Sequence, residues 1–246
     1  MALVSIDTSA SVAAAIVADD GTRLASASVP EQRRHAELLA PLITDLLAEA
    51  GVARTDVRAV VGGTGPAPFT GLRVGLVTAR TFALALGVPV LGVPSLDAVA
   101  AQAVLDLALV ADDAVLVATD ARRKQVYRAH YVVETADGPY GVPRLVRTHD
   151  FDVCAASDAA ALAADGVGAR AVAVGPGVGL YADAFAGLRT APDVALDPVV
   201  LARLALARRD AGEDLPTEPL YLRRPDVQLP AERKRATAPA AGAAGR

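Results

Sequence analysis

The sequence predicts an α/β protein of two lobes, each laid down as three strands, a helix, a strand and a helix. This βββαβα order can be read twice along the 246 residues. Each copy opens on a short apolar strand that ends in aspartate, Leu3 to Asp7 in the first and Ala114 to Asp120 in the second. A chain of this length with 53% hydrophobic residues can bury a sizeable core.

In the first copy, Val12–Ala18 and Arg23–Val29 read as strands joined by an Asp19-Asp20-Gly21 turn. From about Glu31 to Ala50, Leu38, Leu39, Leu42, Ile43, Leu46 and Leu47 recur at helical spacing and give a wide apolar face. Pro41 inside that helix predicts a kink, because it cannot donate a backbone hydrogen bond. Ala59–Val61 is a strand running into residues 62–75, GGTGPAPFTGLRVG. The glycines, with Pro66 and Pro68, describe a stiff turn suited to close approach of another backbone. A helix follows from Leu72 to Leu86. Gly75, Ala79 and Ala83 make a small-residue stripe on it, fit either for its own lobe or for a closely packed partner helix. Val88–Leu91 is a strand, and Ser95 is expected to cap a helix reaching about Leu109.

The second copy continues with strands Val126–Glu134 and Arg144–His149, turning at Asp137-Gly138, and a helix over Ala156–Ala164. Ala171–Val174 is a strand that runs into Gly175-Pro176-Gly177-Val178-Gly179, followed by helices to about Phe185 and over about Val199–Asp210. The expected domains are a first lobe over 1–110 and a second over 111–225. Residues 226–246, rich in Ala, Pro, Gly and Arg without apolar period, are expected to be a disordered tail whose Arg233-Lys234-Arg235 is a solvated end.

Composition narrows the function. With 4% aromatic residues and no Trp, the core must be Ala, Val and Leu. The net charge of −4 leaves the chain as a whole without an electrostatic footprint for nucleic acid. The single cysteine, Cys154, excludes an internal disulfide and a cysteine-based zinc site. The opening MALVSIDTS lacks the basic and apolar regions of a signal peptide, and no run of about 18 apolar residues is free of charge. A cytoplasmic protein with no membrane partner is expected. Neither G-x-S-x-G nor H-E-x-x-H occurs, so nothing nominates a peptidase site.

Two such lobes facing each other across a cleft describe the actin-like ATPase (ASKHA, RNase H-like) fold. Within it, the 62–75 stretch resembles the GPGSFTGLRIG signature of the TsaB (YeaZ-like) family. Gly65, Pro66, Phe69, Thr70, Gly71, Leu72, Arg73 and Gly75 match, while Ala67 and Pro68 depart from it. SIDTS at 5–9, HAELLAPLI at 35–43, DARRKQVY at 120–127 and PLYLR at 219–223 extend the resemblance from Leu3 to Arg223. It implies a non-catalytic scaffold and activating subunit for N6-threonylcarbamoylation (t6A) of the tRNA adenosine just 3′ of the anticodon, position 37, in tRNAs reading ANN codons. The implied partners are the catalytic paralogue TsaD and the ATPase TsaE. tRNA is reached only through the complex, and no cofactor is implied.

The residues agree with a stripped site. Catalytic relatives hold Mg²⁺ or a base at their strand-end aspartates. Here Asp7 is followed by Thr8-Ser9-Ala10-Ser11 without a phosphate-binding glycine turn, and is expected to cap its own turn. Pro176 removes an N–H where kinases of the superfamily hold adenosine. TsaD binds its metal through two histidines on a helix of the first lobe. Only His35 stands in a comparable helix here, so no metal is expected and His35 is assigned to a helix surface or interface. Arg122 and Arg123 form a charged turn that is either solvated or able to grip a carboxylate or phosphate. The expected cleft residues are Asp7, Thr8, Asp120 and Arg122. The expected partner interface is His35, Leu39, Ile43, Leu46, Gly71, Leu72, Gly75, Ala79 and Phe82, in a four-helix contact that pairs with itself as a homodimer when the partner is absent. Two other classes stay open: a degenerate ATP-dependent kinase, and a free-standing homodimeric binding module.

Overall fold

The computed structural model describes residues 1–30, 35–166 and 171–223, without the side chains of 35–36 and 164–166. The expected start of the first helix at Glu31 and the expected tail over 226–246 lie outside the described residues.

The strands form two sheets. The first joins β1 (Ala2–Asp7), β2 (Val12–Ala18), β3 (Arg23–Val29), β4 (Val57–Gly63) and β5 (Val90–Val93) in the order β3-β2-β1-β4-β5. The second joins β6 (Ala114–Asp120), β7 (Gln125–Thr135), β8 (Arg144–Arg147), β9 (Asp152–Ala155), β10 (Ala171–Val174) and β11 (Arg189–Ala191) in the order β11-β10-β6-β7-β8, with β9 also on β7. In each sheet the opening strand runs antiparallel to the next and parallel to the strand after the first helix, β1 to β4 and β6 to β10. The sheets are therefore copies of one topology, the duplicated actin-like α/β fold. β9 and β11 were not expected. They are only four and three residues long and carry Asp152, Arg189 and Thr190, too short and polar for an alternation to register.

The helices are α1 (His35–Glu49), α2 (Phe69–Leu86), α3 (Ser95–Leu107), α4 (Ala156–Gly166), α5 (Pro176–Leu180), α6 (Ala182–Phe185) and α7 (Pro198–Asp210). α1 runs as one helix through Pro41. α1 and α2 cover one face of the first sheet, where Leu39, Ile43, Leu46, Ala79 and Ala83 close over Val4, Ile6, Ile16 and Val60. α4 and α6 close over Leu116, Ala118 and Ala173 on the second. The inner layer crosses between lobes. Leu96, Val99 and Ala103 of α3 pack on Val115, Val117 and Tyr131 of the second sheet. Val200, Leu201 and Leu204 of α7 pack on Leu3, Val61 and Val93 of the first. The order is thus helices, sheet, helices, sheet, helices. β1 is buried along its whole length and reads as an apolar strand interrupted only by Ser5 before it ends in Asp7, as strands covered on both sides do.

After α7 the chain returns along the first lobe as a strap. Gly92 N–H donates to Leu215 O (3.0 Å) and Leu220 N–H to Thr64 O (2.9 Å). Arg80 Nη2 of α2 donates to Thr217 O at 2.7 Å. α2 is, among the described residues, the one helix long and apolar enough by length and composition to cross a membrane. Here it packs across β4 and β1.

Candidate functional site

Four of the five stretches that carry the resemblance, 5–9, 62–75, 120–127 and 219–223, converge at one place, while 35–43 lies on α1 away from it. β1 ends at the mouth between the lobes, and Asp7 is 2% exposed there. Its Oδ1 accepts from Ser9 N–H (2.7 Å) and Ser9 Oγ (2.6 Å), so it does cap its own turn. Its Oδ2 accepts from Ser95 Oγ at 2.6 Å, and that oxygen accepts from Gly65 N–H at 3.1 Å. The Asp7 carboxylate occupies the space a side chain at residue 63 would need, which is why that position is glycine. Ser95 is thereby committed to the loop. It opens α3 after Pro94 without the expected side-chain cap.

Thr8 ties down the other end of the loop. Its Oγ1 donates to Gly71 O (2.7 Å) and accepts from Gly75 N–H (2.9 Å). A Cβ on Gly75 would overlap that hydroxyl. The strap closes the outside. The Arg73 guanidinium lies 3.5 Å over the Phe69 ring, Tyr221 stands beside Phe69 with ring centres 4.9 Å apart, and Arg73 Nε donates to Tyr221 Oη at 2.9 Å.

The facing wall belongs to the second lobe. Asp120 Oδ1 accepts from Arg122 N–H (2.8 Å) and Tyr181 Oη (3.3 Å), and Oδ2 pairs with Arg122 at 3.4 Å. Arg223 Nη1 donates to Ala121 O at 2.6 Å, so the strap holds this wall too. Burial pushes the Tyr127 hydroxyl above its ordinary range, with Arg223 opposing the effect and Asp120 adding to it. The cleft between the walls has a volume of about 300 Å³. Thr8, Ser9, Phe69 and Thr70 line it on one side, and Thr119, Asp120, Arg122 and Tyr127 on the other. Of the four expected cleft residues, Thr8, Asp120 and Arg122 line it, whereas Asp7 lies behind the loop, turned to Ser9 and Ser95. Ser95 was expected only as a helix cap, and Tyr181 and Arg223 were not expected at the cleft. Ser95 lies 88 residues from Asp7, and no local pattern marks such a partner.

Gly175 and Gly177 serve packing. A Cβ on either would press on the Ala118 carbonyl, so they let α5 start against β6. Among the described residues no group of three or more His, Cys, Asp or Glu could hold a metal ion.

The expected interface divides. Leu39, Ile43, Leu46, Leu72, Gly75 and Ala79 are buried in the lobe's own core, and Ala79 meets β4 at Gly62. In the free chain these residues face inward, since the spacing that marks a partner stripe also marks a helix's core face, but Ile43 also reaches the open groove between α1 and α2. Gly71 and Phe82 are half-buried, and the side chain of His35 is outside the described residues. What α1 and α2 leave open is a groove of about 410 Å³ between them, lined by Ala40, Ile43, Thr44, Leu47, Thr78 and Phe82, with Arg54 at its edge. Val77 (60% exposed) and Leu84 (83%) stand outside it on α2.

Comparison with known proteins follows this geometry. The family described as "TsaD: tRNA N6-adenosine threonylcarbamoyltransferase" matches over residues 28–190. An uncharacterized protein of Mycobacterium tuberculosis is 40% identical over 198 residues, 80% of this chain and 79% of its own length. The tRNA threonylcarbamoyladenosine biosynthesis protein TsaB of Haemophilus influenzae is 30% identical over 199 residues, 78% of this chain and 81% of its own length. The solved structure of YeaZ from Pseudomonas aeruginosa superposes with a TM-score of 0.74 at 28% identity, covering 90% of this chain and 99% of that one.

Proposed function

The chain belongs to the TsaB (YeaZ) family, and on that premise we propose that it serves t6A biosynthesis in tRNA as a non-catalytic subunit. It pairs in the cytoplasm with a TsaD-like catalytic chain, and a TsaE-like ATPase joins the pair. The observation that carries the non-catalytic part is the engagement of Asp7. Both carboxylate oxygens accept short hydrogen bonds from Ser9 and Ser95, and the group is 2% exposed, so it acts as a fastener of the loop. A metal-holding or base carboxylate needs an oxygen turned to the substrate.

The partner surface is the groove between α1 and α2, with Ile43, Thr44, Thr78 and Phe82, together with the exposed Val77 and Leu84 of α2. An apolar groove flanked by two helical ridges suits a helix pair from a paralogue of the same fold. The same face brings two copies of this chain together when the partner is absent.

The test is co-purification and rescue. The full chain is expected to carry down a TsaD-like chain, and to restore t6A, read by mass spectrometry of tRNA nucleosides, in cells depleted of their own TsaB. The purified chain alone is expected to turn over neither ATP nor threonylcarbamoyl-AMP. Turnover by the chain alone, abolished by Asp7→Ala with stability unchanged, would falsify the scaffold reading.

A further inference from the structure

The two walls of the cleft differ in chemistry, one basic and one aromatic. On the second lobe, Arg122, Arg123 and Lys124 follow one another with φ of 65°, 54° and 61°. Three successive non-glycine residues in the left-handed region are strained, and strain of this kind persists only where the surroundings impose it. They do so here. Arg122 N–H is held by Asp120 (2.8 Å), Gln125 N–H donates to Arg122 O (3.0 Å), and Arg223 holds Ala121 O (2.6 Å). The result is a constrained turn with three exposed basic residues, of which Arg122, its side chain 57% exposed, lines the cleft and Arg123 and Lys124 follow it in the chain.

The first lobe supplies an aromatic platform. Phe69 lines the cleft, Arg73 covers one of its faces at 3.5 Å, and Tyr221 flanks it at 4.9 Å. One strap, carrying both Tyr221 and Arg223, fixes the platform and the basic turn relative to each other. A fixed aromatic face opposite a row of cations is the arrangement that stacks a base and follows a phosphate backbone. The cleft, at about 300 Å³, admits one unstacked nucleotide and no duplex.

We propose that this cleft holds one nucleotide of a single-stranded RNA segment, its base against Phe69 and its phosphates along Arg122–Lys124. The proposal rests on the tRNA-modification reading for the RNA the chain meets. An acidic peptide would use the cations and leave the aromatic face idle. With the chain's net charge of −4 working against it, binding is local, modest and sensitive to salt.

The test uses the full chain and a fluorescein-labelled oligoadenylate of about 12 nucleotides, read by anisotropy at about 50 mM salt and on salt titration. Saturable binding is expected. The triple variant Arg122→Gln, Arg123→Gln, Lys124→Gln should weaken it about tenfold or more and flatten the log K against log salt slope by about 0.7 for each phosphate no longer neutralised. Phe69→Leu should weaken it about fivefold or more with the slope unchanged. Circular dichroism confirms folding, and Tyr221→Leu replaces Phe69→Leu if that variant unfolds. Absence of binding, or folded variants that bind like the parent, overturns the proposal. So does displacement of the RNA by micromolar ATP, or by oligoglutamate as readily as by unlabelled RNA. The co-purification and rescue experiment is separate: RNA binding without a partner sinks the subunit reading, and a partner without RNA binding sinks this one.

Discussion

At the scale of single residues, the loop is held by pairs that only fit together. Gly75 and Thr8 are one such pair, since the hydroxyl that accepts from Gly75 N–H fills the place of a side chain. Gly75→Ala should therefore cost about 2 kcal/mol or more in the parent and clearly less in a Thr8→Ala background, where the offending oxygen is gone. Denaturant melts of the four combinations give the coupling, and strict additivity would show that the two do not meet. His130 is a second case. It is 2% exposed with no hydrogen-bond partner for Nε2 among the described residues, and burial, then Arg128 and His149, lower its pKa from 6.5 to about 4. The unfolded chain takes up a proton near the ordinary value while the folded chain resists to about pH 4. Stability is full above that ordinary value, falls as pH drops through the window by on the order of 3 kcal/mol, and falls no further from this group below it. Thermal melts between pH 7 and pH 4.5 should show the decline, and His130→Leu should remove much of it. A profile unchanged by that substitution would assign the decline to other groups.

At the scale of elements, α2 separates a core face from an open one. Ala79 is 0% exposed and Val77 60% exposed on the same helix. Ala79→Arg drives a charge into the lobe's own core and should unfold the chain, visible by circular dichroism. Val77→Arg should leave it folded and, if the proposed partner face is right, abolish co-purification with the TsaD-like chain. A folded Ala79→Arg protein would mean the helix is turned from its described orientation. The sequence legibly marked α2 as apolar and small-faced, because helical spacing is local. It did not say which body that face meets, because own core and foreign helix ask for the same residues. For the same reason the strands of the first lobe were legible to the residue in β2 and β3, while β9 and β11 were not: three or four residues hold too little period. Thr8, Asp120 and Arg122 line the cleft where the strand ends pointed, while Asp7 at the same strand end is turned away from it into the loop. Ser95, Tyr181 and Arg223 reach the same cleft by distant contacts that no local spacing records.

At the scale of the whole molecule, the crossed inner layer makes each lobe incomplete without the other. Residues 1–110 alone would leave Leu3, Val61 and Val93 uncovered, since α7 is their lid. That fragment, expressed alone, should be insoluble or lack dispersed amide signals in NMR. Co-expression with the remainder should restore a folded complex, and a well-dispersed spectrum from the fragment alone would contradict this packing. The full chain should melt in one transition, with Arg203 of α7 donating to Gly21 O (2.8 Å) as a further tie between the lobes. The crossed layer also sets a schedule. A ribosome makes the first sheet early and α7 about 100 residues later, which at roughly 5–20 residues per second is a delay of about 5–20 s. Through that interval the nascent first sheet shows an apolar underside to the cell, and the cleft lacks Tyr221 and Arg223. The Tyr221 clamp on Phe69 and the Arg223 tie to Ala121 form only after both sheets have been made, and chaperone cover during that wait is part of what the architecture demands.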